Sequence, residues 1–355
     1  MHILITGGSG FIGSNLIHRL LKTPSHSLLN YDKQTAAANP LSLRSFRGSP
    51  QLQQVCACIS DGETLLNTLE HFQPQVVLHT AVESSQSTGF NNPNPWIQTN
   101  LIGTYTLLEA VRTYWQGLPA RQQAAFRLLY LYSDQVYGNP HQLELRINEQ
   151  TPLNPESPYS TSKASAEQLA LGWHQSYGLP LMITRAARTY GPRQATHHTL
   201  PRLLRLALVG QELGVGHHQH PLDWLYVEDH VSALLEVMRS GQPGEVYNIS
   251  SAQQHSLADL ACTLCDLLDE LKPAATSYRN LITYADAQPG FTQKRSLDSS
   301  KLRQLGWAPE YSLEQGLRTT LNWYLNNPDW VEKSISRLSG RSRVRQKKRR
   351  EIKGI

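Results

Sequence analysis

A glycine-rich turn between a strand and a helix, at the very start of the chain, constrains the fold more than any other stretch. His2-Ile3-Leu4-Ile5-Thr6 is a short apolar run of strand type, interrupted by Gly7-Gly8-Ser9-Gly10-Phe11-Ile12-Gly13. Ile12, Leu16 and Leu20 then recur one helical turn apart. Gly7 suits a tight turn, Gly10 lets a pyrophosphate approach the backbone, and Gly13 lets the helix lie close on the strand. The helix start offers free N–H groups and the positive end of a dipole. A second strand, Ser27 to Tyr31, ends in Asp32, nineteen residues past Gly13. A carboxylate there accepts hydrogen bonds from ribose hydroxyls and repels a 2′-phosphate, so NAD is the expected cofactor rather than NADP.

Strand and helix patterns alternate through the rest of the first half. Leu52 to Cys58, Val76 to Leu78, Phe126 to Tyr132 and Leu181 to Thr184 read as strands. Helices are expected through Leu65, Leu66 and Leu69, over Trp96 to Tyr114, and over Ser160 to Tyr177. Repeated βα units predict an α/β fold, a Rossmann-type doubly wound parallel sheet. Ligands in such folds sit beyond the carboxyl ends of the strands, so the loops after Thr6, Asp32, Cys58, Leu78, Tyr132 and Thr184 should ring the site. The pattern loosens after residue 184 into a smaller α+β substrate lobe. The expected division is 1–184 for the NAD-binding domain, 185–333 mainly for the substrate lobe with some segments returning to the first domain, and 334–355 for a tail.

Charge separates that tail from the fold. Residues 341–355 hold eight Lys or Arg against one Glu, a net +7, and the whole chain is +5, which leaves −2 for the remainder. Such a tail stays unfolded unless it meets an acidic partner. No run approaches the roughly 18 apolar residues of a membrane span, and no basic leader precedes the first strand, so no membrane contact and a cytoplasmic location are expected. Cys262-x-x-Cys265 has metal-ligand spacing but lies among Leu257, Leu260, Leu264 and Leu268, where core thiols are the better reading. His217-His218-x-His220 reads as a polar rim, so no metal is expected.

Tyr159 and Lys163 form a Tyr-x-x-x-Lys pair, one turn apart on one helix face. That spacing sets an ammonium beside a phenol and favours phenolate, which turns a group with an ordinary pKa of about 10 into an acid or base. Ser133, at the end of the fifth strand, would hydrogen-bond the hydroxyl that Tyr159 deprotonates.

With these motifs the chain resembles the extended short-chain dehydrogenase/reductases, the NAD-dependent epimerase/dehydratase family, and most nearly its dTDP-glucose 4,6-dehydratase branch. The likeness runs from residue 1 to about 333 through Thr6 to Ser14, Asp32-Lys33, Thr99-Asn100, Gly103-Thr104-Tyr105, Ser133-Asp134, Val136-Tyr137-Gly138 and Ser157-Pro158-Tyr159-Ser160. It continues in Ser162-Lys163-Ala164-Ser165, Tyr190-Gly191-Pro192 and Asp223 to His230. The resemblance implies that Gly7, Gly10, Phe11, Ile12, Gly13, Asp32, Lys33, Cys58, Ile59, Thr80, Ala81, Val82 and Thr99 bind NAD together with Tyr159 and Lys163. It gives substrate contacts to Glu83, Ser84, Arg188 and Arg193, and places Asp134 and Gln135 beside Ser133, Tyr159 and Lys163 as the catalytic set. It also implies a homodimer through a four-helix bundle, and a substrate that is a sugar nucleotide or a related carbohydrate.

Departures from that pattern cluster on the substrate side. The family's glutamate base falls at Gln135, and its substrate-holding His, Asp and Arg fall at Ser85, Ser87 and Thr88. Its arginine before Asp-Trp is Leu222, its Arg-Pro-Gly-His-Asp run is Gln288-Pro289-Gly290-Phe291-Thr292, and its Glu-Lys pair is His197-His198. On the cofactor side only one aspartate changes, to Cys58. The leading function is therefore an NAD-dependent dehydratase or oxidoreductase that oxidises a secondary alcohol through Tyr159 and Lys163. An NAD-binding scaffold without catalysis, and an oxidoreductase or epimerase on a non-nucleotide substrate, stay open beside it.

Overall fold

A computed structural model of the chain describes residues 1–35, 38–39, 41–84, 92–139, 146–216, 221–285 and 296–330. Ser85, Ser87, Thr88, the His217 to His220 cluster, Gln288 to Thr292 and the basic tail lie outside these residues.

Seven parallel strands run in the order β3-β2-β1-β4-β5-β6-β10. They are β1 (His2–Thr6), β2 (Ser27–Tyr31), β3 (Leu52–Val55), β4 (Val76–His79), β5 (Arg127–Ser133), β6 (Leu181–Ala186) and β10 (Val246–Ile249). Ile3 on the central strand pairs with Leu28 on one side and Val76 on the other. Strands covered on both faces read as continuous apolar runs, which is why these segments show no alternation. Ile3 and Ile5 face α1 (Phe11–Leu20) and α7 (Val227–Ser240), while Leu4 and Val77 face α2 (Gly62–Phe72), α3 (Gly103–Gln116) and α5 (Pro158–Tyr177). Strand order reverses between β1 and β4, so a crevice opens there at the carboxyl ends.

Local chemistry sets the helix starts. Asp61 caps α2 by accepting from the Thr64 N–H at 3.1 Å. Ser157 and Ser160 form a reciprocal capping box at α5, with Pro158 in the first turn. The helix expected over Trp96 to Tyr114 differs from a plain α-helix. A helical turn at Asn94–Trp96 passes into a π-helical turn, Ile97–Ile102, before α3 begins.

After β6 the chain leaves the sheet and returns to it. A small sheet joins β7 (Arg188–Tyr190), β9 (Leu222–Tyr226) and β11 (Gln254–His255), and a two-stranded one joins β8 (Leu213–Gly216) and β12 (Ile282–Ala285). With α6 (Thr199–Leu208), α8 (Leu257–Leu271) and α10 (Leu313–Leu325) these make the smaller lobe. Two elements beyond residue 184 belong to the main sheet instead: β10 pairs with β6, and α7 packs against α1.

A buried ion pair fixes one helix layer to the main sheet. Arg185 on β6 meets Glu167 on α5, both almost fully shielded from solvent. The Arg185 guanidinium also donates to the Tyr137 hydroxyl at 2.6 Å, which donates to Asn248 Oδ1 of β10 at 2.8 Å. Glu167→Ala leaves a buried guanidinium without its anion and should cost about 3–5 kcal/mol in urea unfolding. Exchanging both partners for apolar residues, Glu167→Leu with Arg185→Met, should cost clearly less than the single change. An equal or larger loss in the double variant would assign the effect to packing rather than to the orphaned charge.

Candidate active site

The turn after β1 sits so close to the loop after β4 that side chains are excluded. Gly7 has φ 73°, and a Cβ there would lie 2.6 Å from the backbone N of Ala81. One on Gly13 would lie 2.5 Å from the Gly7 carbonyl oxygen. Gly10 differs, since its Cβ would meet only that same carbonyl, at 3.1 Å. Its outer side is open to a ligand. Helix α1 starts at Gly10 with no side-chain cap and no acid in its first turn, so its N–H groups and dipole are left for an anion. Asp32 is buried, with Oδ2 accepting from the Ser9 N–H at 2.9 Å and Oδ1 from the Gln34 N–H at 2.7 Å. Each oxygen keeps a lone pair for a hydroxyl donor. The bare helix end and this held carboxylate fit a dinucleotide.

The other residues expected around the cofactor come together at the same strand ends. Lys33 Nζ donates to Thr99 Oγ1 at 2.8 Å, joining the loop after β2 to the π turn. The Tyr31 hydroxyl donates to the Cys58 carbonyl at 3.2 Å, and Ile59 is buried against Gly103. Thr80 Oγ1 donates to the Thr6 carbonyl at 2.7 Å, which fixes Ala81 and Val82 behind the glycine turn. Phe11 and Ile12 open α1.

Ser133 ends β5 and caps the 3₁₀ turn Asp134–Tyr137, its Oγ donating to Asp134 Oδ1 at 3.1 Å and accepting from the Gln135 N–H at 3.3 Å. Tyr159 lies edge-on to buried Trp96, with ring centroids 5.9 Å apart. Burial pushes its phenol up to about 12, and the carboxylates of Asp134 and Glu83 push the same way. The depressed phenol expected from the Tyr-x-x-x-Lys spacing is therefore absent from this arrangement. Lys163 is turned down toward the sheet, donating to the Leu131 carbonyl at 3.1 Å, and burial lowers its amine to about 7. Spacing on a helix brings two side chains to one face but leaves open where a long, flexible one ends.

Asn100, on the π turn, organises the substrate side. Its Oδ1 accepts from the Glu83 N–H at 2.9 Å, and its Nδ2 donates to the Glu83 carbonyl at 3.1 Å and to Ser162 Oγ at 3.0 Å. The Ser162 hydroxyl donates to the Tyr159 carbonyl at 2.7 Å. Glu83 and Ser84 are thus tied to the Tyr159 helix through one amide. Asn100 was visible in the Thr99-Asn100 motif, but no spacing rule assigned it this part. His197 and His198 stack with centroids 4.3 Å apart. Burial holds the His197 imidazole below its ordinary value against the opposing charge of Glu83, while burial, His197 and Arg188 bring His198 down to about 3. Arg188 lies over the Trp224 ring at 5.5 Å. Arg193 goes elsewhere: its guanidinium donates to Asn15 Oδ1 at 2.8 Å and lies 5.6 Å from the Trp323 ring centroid. It fastens α1 to the end of α10.

A doubly wound parallel sheet, with a phosphate-ready glycine turn after β1 and a Tyr-x-x-x-Lys helix after β5, defines the class of extended short-chain dehydrogenase/reductases. The sequence model of the family described as GDP-mannose 4,6 dehydratase matches residues 4–320, and the chain belongs to that family. It is 40% identical to the dTDP-glucose 4,6-dehydratase of Shigella flexneri over 342 residues, 94% of this chain and 95% of that one. Its identity to dTDP-glucose 4,6-dehydratase 1 of Escherichia coli strain K12 is 39%, over the same shares. The structure of dTDP-glucose 4,6-dehydratase from Bacillus anthracis in complex with NAD superposes with a TM-score of 0.82 at 33% identity, covering 94% of this chain and 99% of that one. UDP-glucose 4-epimerase from Thermotoga maritima with UDP-glucose gives 0.79 at 27%, covering 92% and 99%. No described helix is long and apolar enough to cross a membrane.

The held carboxylate of Asp32 leads to a cofactor test. Calorimetry should find NAD bound at least about ten-fold more tightly than NADP, as one charged hydrogen-bonding group can supply. Asp32→Ala should close most of that gap. Equal or tighter NADP binding by the unmodified protein would remove Asp32 from cofactor choice.

Proposed function

We propose that the protein is an NAD-dependent dehydratase of the dTDP-glucose 4,6-dehydratase type, acting on a nucleotide sugar. The observation that carries this reading is the meeting of Tyr159, Ser133, Asp134 and Glu83 at the strand ends that also hold the dinucleotide-fitting turn. In this reading residues 1–184 mainly bind the cofactor, residues 185–333 mainly bind the substrate, and the basic tail meets an acidic partner. Tyr159 takes the proton of the sugar's 4-hydroxyl, Ser133 hydrogen-bonds the same oxygen, and Lys163 supplies the positive charge that offsets the buried phenolate. NAD, held by the turn after β1 and Asp32, would supply the hydride-accepting and hydride-donating chemistry that C4 and C6 require. Asp134 protonates the departing 6-hydroxyl.

Removal of the C5 proton needs a base. Gln135 has the size of glutamate but no basic lone pair at neutral pH, and a general base contributes about 10² to 10⁴ in rate. Glu83 and His197 are the acceptors we assign to that side, since the Glu83 charge acts on both His197 and Tyr159. Incubation of the purified protein and NAD with dTDP-glucose should give reversible oxidation at C4 faster than release of the 4-keto-6-deoxy product. Tyr159→Phe should abolish both while leaving NAD affinity nearly intact, and retained turnover would remove Tyr159 from the chemistry. Glu83→Gln should depress elimination more than oxidation. If Gln135→Glu alone instead raises elimination to the oxidation rate, Glu83 and His197 are not the acceptors.

We also propose a homodimer through α3 and α5. Ile102, Tyr105 and Tyr177 are 41%, 48% and 46% exposed, unusual for such side chains. Tyr105, Trp173 and Tyr177 form a continuous aromatic contact across the two helices. A second copy laid on this face would complete a four-helix bundle and cover it. Sedimentation should give twice the chain mass, and Ile102→Glu with Tyr105→Glu should give a folded monomer. A monomeric unmodified protein would end this part of the reading.

A further inference from the structure

Lys163 occupies an environment that the Tyr-x-x-x-Lys motif alone does not require. Its Nζ lies 4.3 Å from the centroid of the Tyr132 ring and 5.3 Å from that of Tyr130. The two tyrosines share one face of β5 and stack with centroids 4.3 Å apart and planes 16° from parallel. His79 on β4 closes the far side, edge-on to Tyr130 at 4.3 Å, with its Nδ1 2.6 Å from Thr6 Oγ1. All five side chains are buried.

The charges around the amine do not neutralise it. Glu167, one turn along α5, is the acid that acts on it, but that carboxylate is bonded to Arg185. Tyr130 and Tyr132 on β5 and His79 on β4 are the other titratable groups around the amine. Burial and the nearby lysine keep His79 well below its ordinary range, and burial holds the Tyr130 and Tyr132 phenols above theirs. All three are therefore neutral near pH 7. Of the three ammonium donors, one is directed to the Leu131 carbonyl. The rest of the cation lies against the Tyr132 ring, on which Tyr130 is stacked, an attraction that strengthens where water is excluded.

We propose that Tyr132, backed by Tyr130, is an aromatic seat that keeps Lys163 cationic inside the protein, and so is a positioning residue for the Tyr159 chemistry. The functional half of this statement rests on the role given to Lys163 above; the electrostatic half stands by itself. A ring face at this distance opposes the burial that would otherwise discharge the lysine. Without it, Lys163 would reach neutral pH largely uncharged, with nothing to offset a phenolate at Tyr159.

The test is a titration of the Lys163 amine by NMR of protein labelled with ¹⁵N at lysine Nζ, assigned with Lys163→Arg. Tyr132→Phe keeps the ring face and should leave the titration in place. Tyr132→Leu removes it and should move the midpoint down by about one pH unit, the size of a desolvated cation–π contact. Pentafluorophenylalanine at position 132 keeps the ring's shape and reverses its quadrupole. It should move the midpoint the same way, and serves if the leucine variant does not fold. Turnover at pH 7 should fall about five-fold with either variant, by the loss of protonated lysine that such a shift implies, and the deficit should shrink as the pH is lowered. An unmoved midpoint in the fluorinated and leucine variants would overturn the seat. A moved midpoint with unchanged turnover would keep the seat and overturn the role of Lys163 in the reaction.

Discussion

Backbone against backbone, the contact between the turn after β1 and the loop after β4 is the constraint on which the rest of the molecule depends. Gly7 and Ala81 approach so closely that any side chain at position 7 would collide with main-chain atoms. That approach sets the width of the crevice where strand order reverses, and it leaves the start of α1 bare for an anion. Thr80 ties back to the Thr6 carbonyl, and Asp32 holds Ser9 from the other side. Glu83 then emerges from the β4 loop at a fixed distance from the turn, where Asn100 seizes its backbone. The glycine turn at the first strand thus positions the acid of Glu83, some eighty residues later.

The two halves of the site follow different electrostatic rules. The half around the turn after β1 presents main-chain N–H groups and one buried carboxylate. On the other half, burial is the largest influence on a phenol, an amine and two imidazoles. It raises the phenol of Tyr159, lowers the amine of Lys163 and lowers both His197 and His198. Asp223, set among Ser250 and Ser251, is pushed up to about 6 by the same cause despite three hydrogen bonds. The same cause thus brings Lys163 and Asp223 near neutral pH and takes Tyr159 and His198 away from it.

Much of the fold was legible because burial on two faces writes itself into composition. The runs Ile3 to Ile5, Val76 to Leu78 and Leu128 to Leu131 are strands between helical layers, and the alternation with helices implies their parallel order. The glycine turn, Asp32 and the Tyr159 helix were legible for a related reason, since each depends on short-range spacing. What escaped depends on contacts between distant segments. Nothing local to Val246–Ile249 says that this strand crosses back to pair with β6. Nothing local to the arginine at 193 says that Asn15 and Trp323 come to surround it. Lys163 lies where the helical period puts it, but its amine ends where the rings of β5 draw it.

The π-helical turn at Ile97–Ile102 has its meaning in angular phase. A regular helix advances about 100° per residue, so its inner and outer faces keep one fixed relation along its length. A π turn inserts a residue and breaks that relation locally. Here Trp96, Thr99 and Asn100 are buried toward the site, while Ile102, the last residue of the π turn, and Tyr105, just past it, are exposed on the outer surface. One continuous helical rod can therefore satisfy two geometries that a uniform rod would force to agree. The site keeps its own registration, and the outer face is free to match a second molecule without moving Asn100.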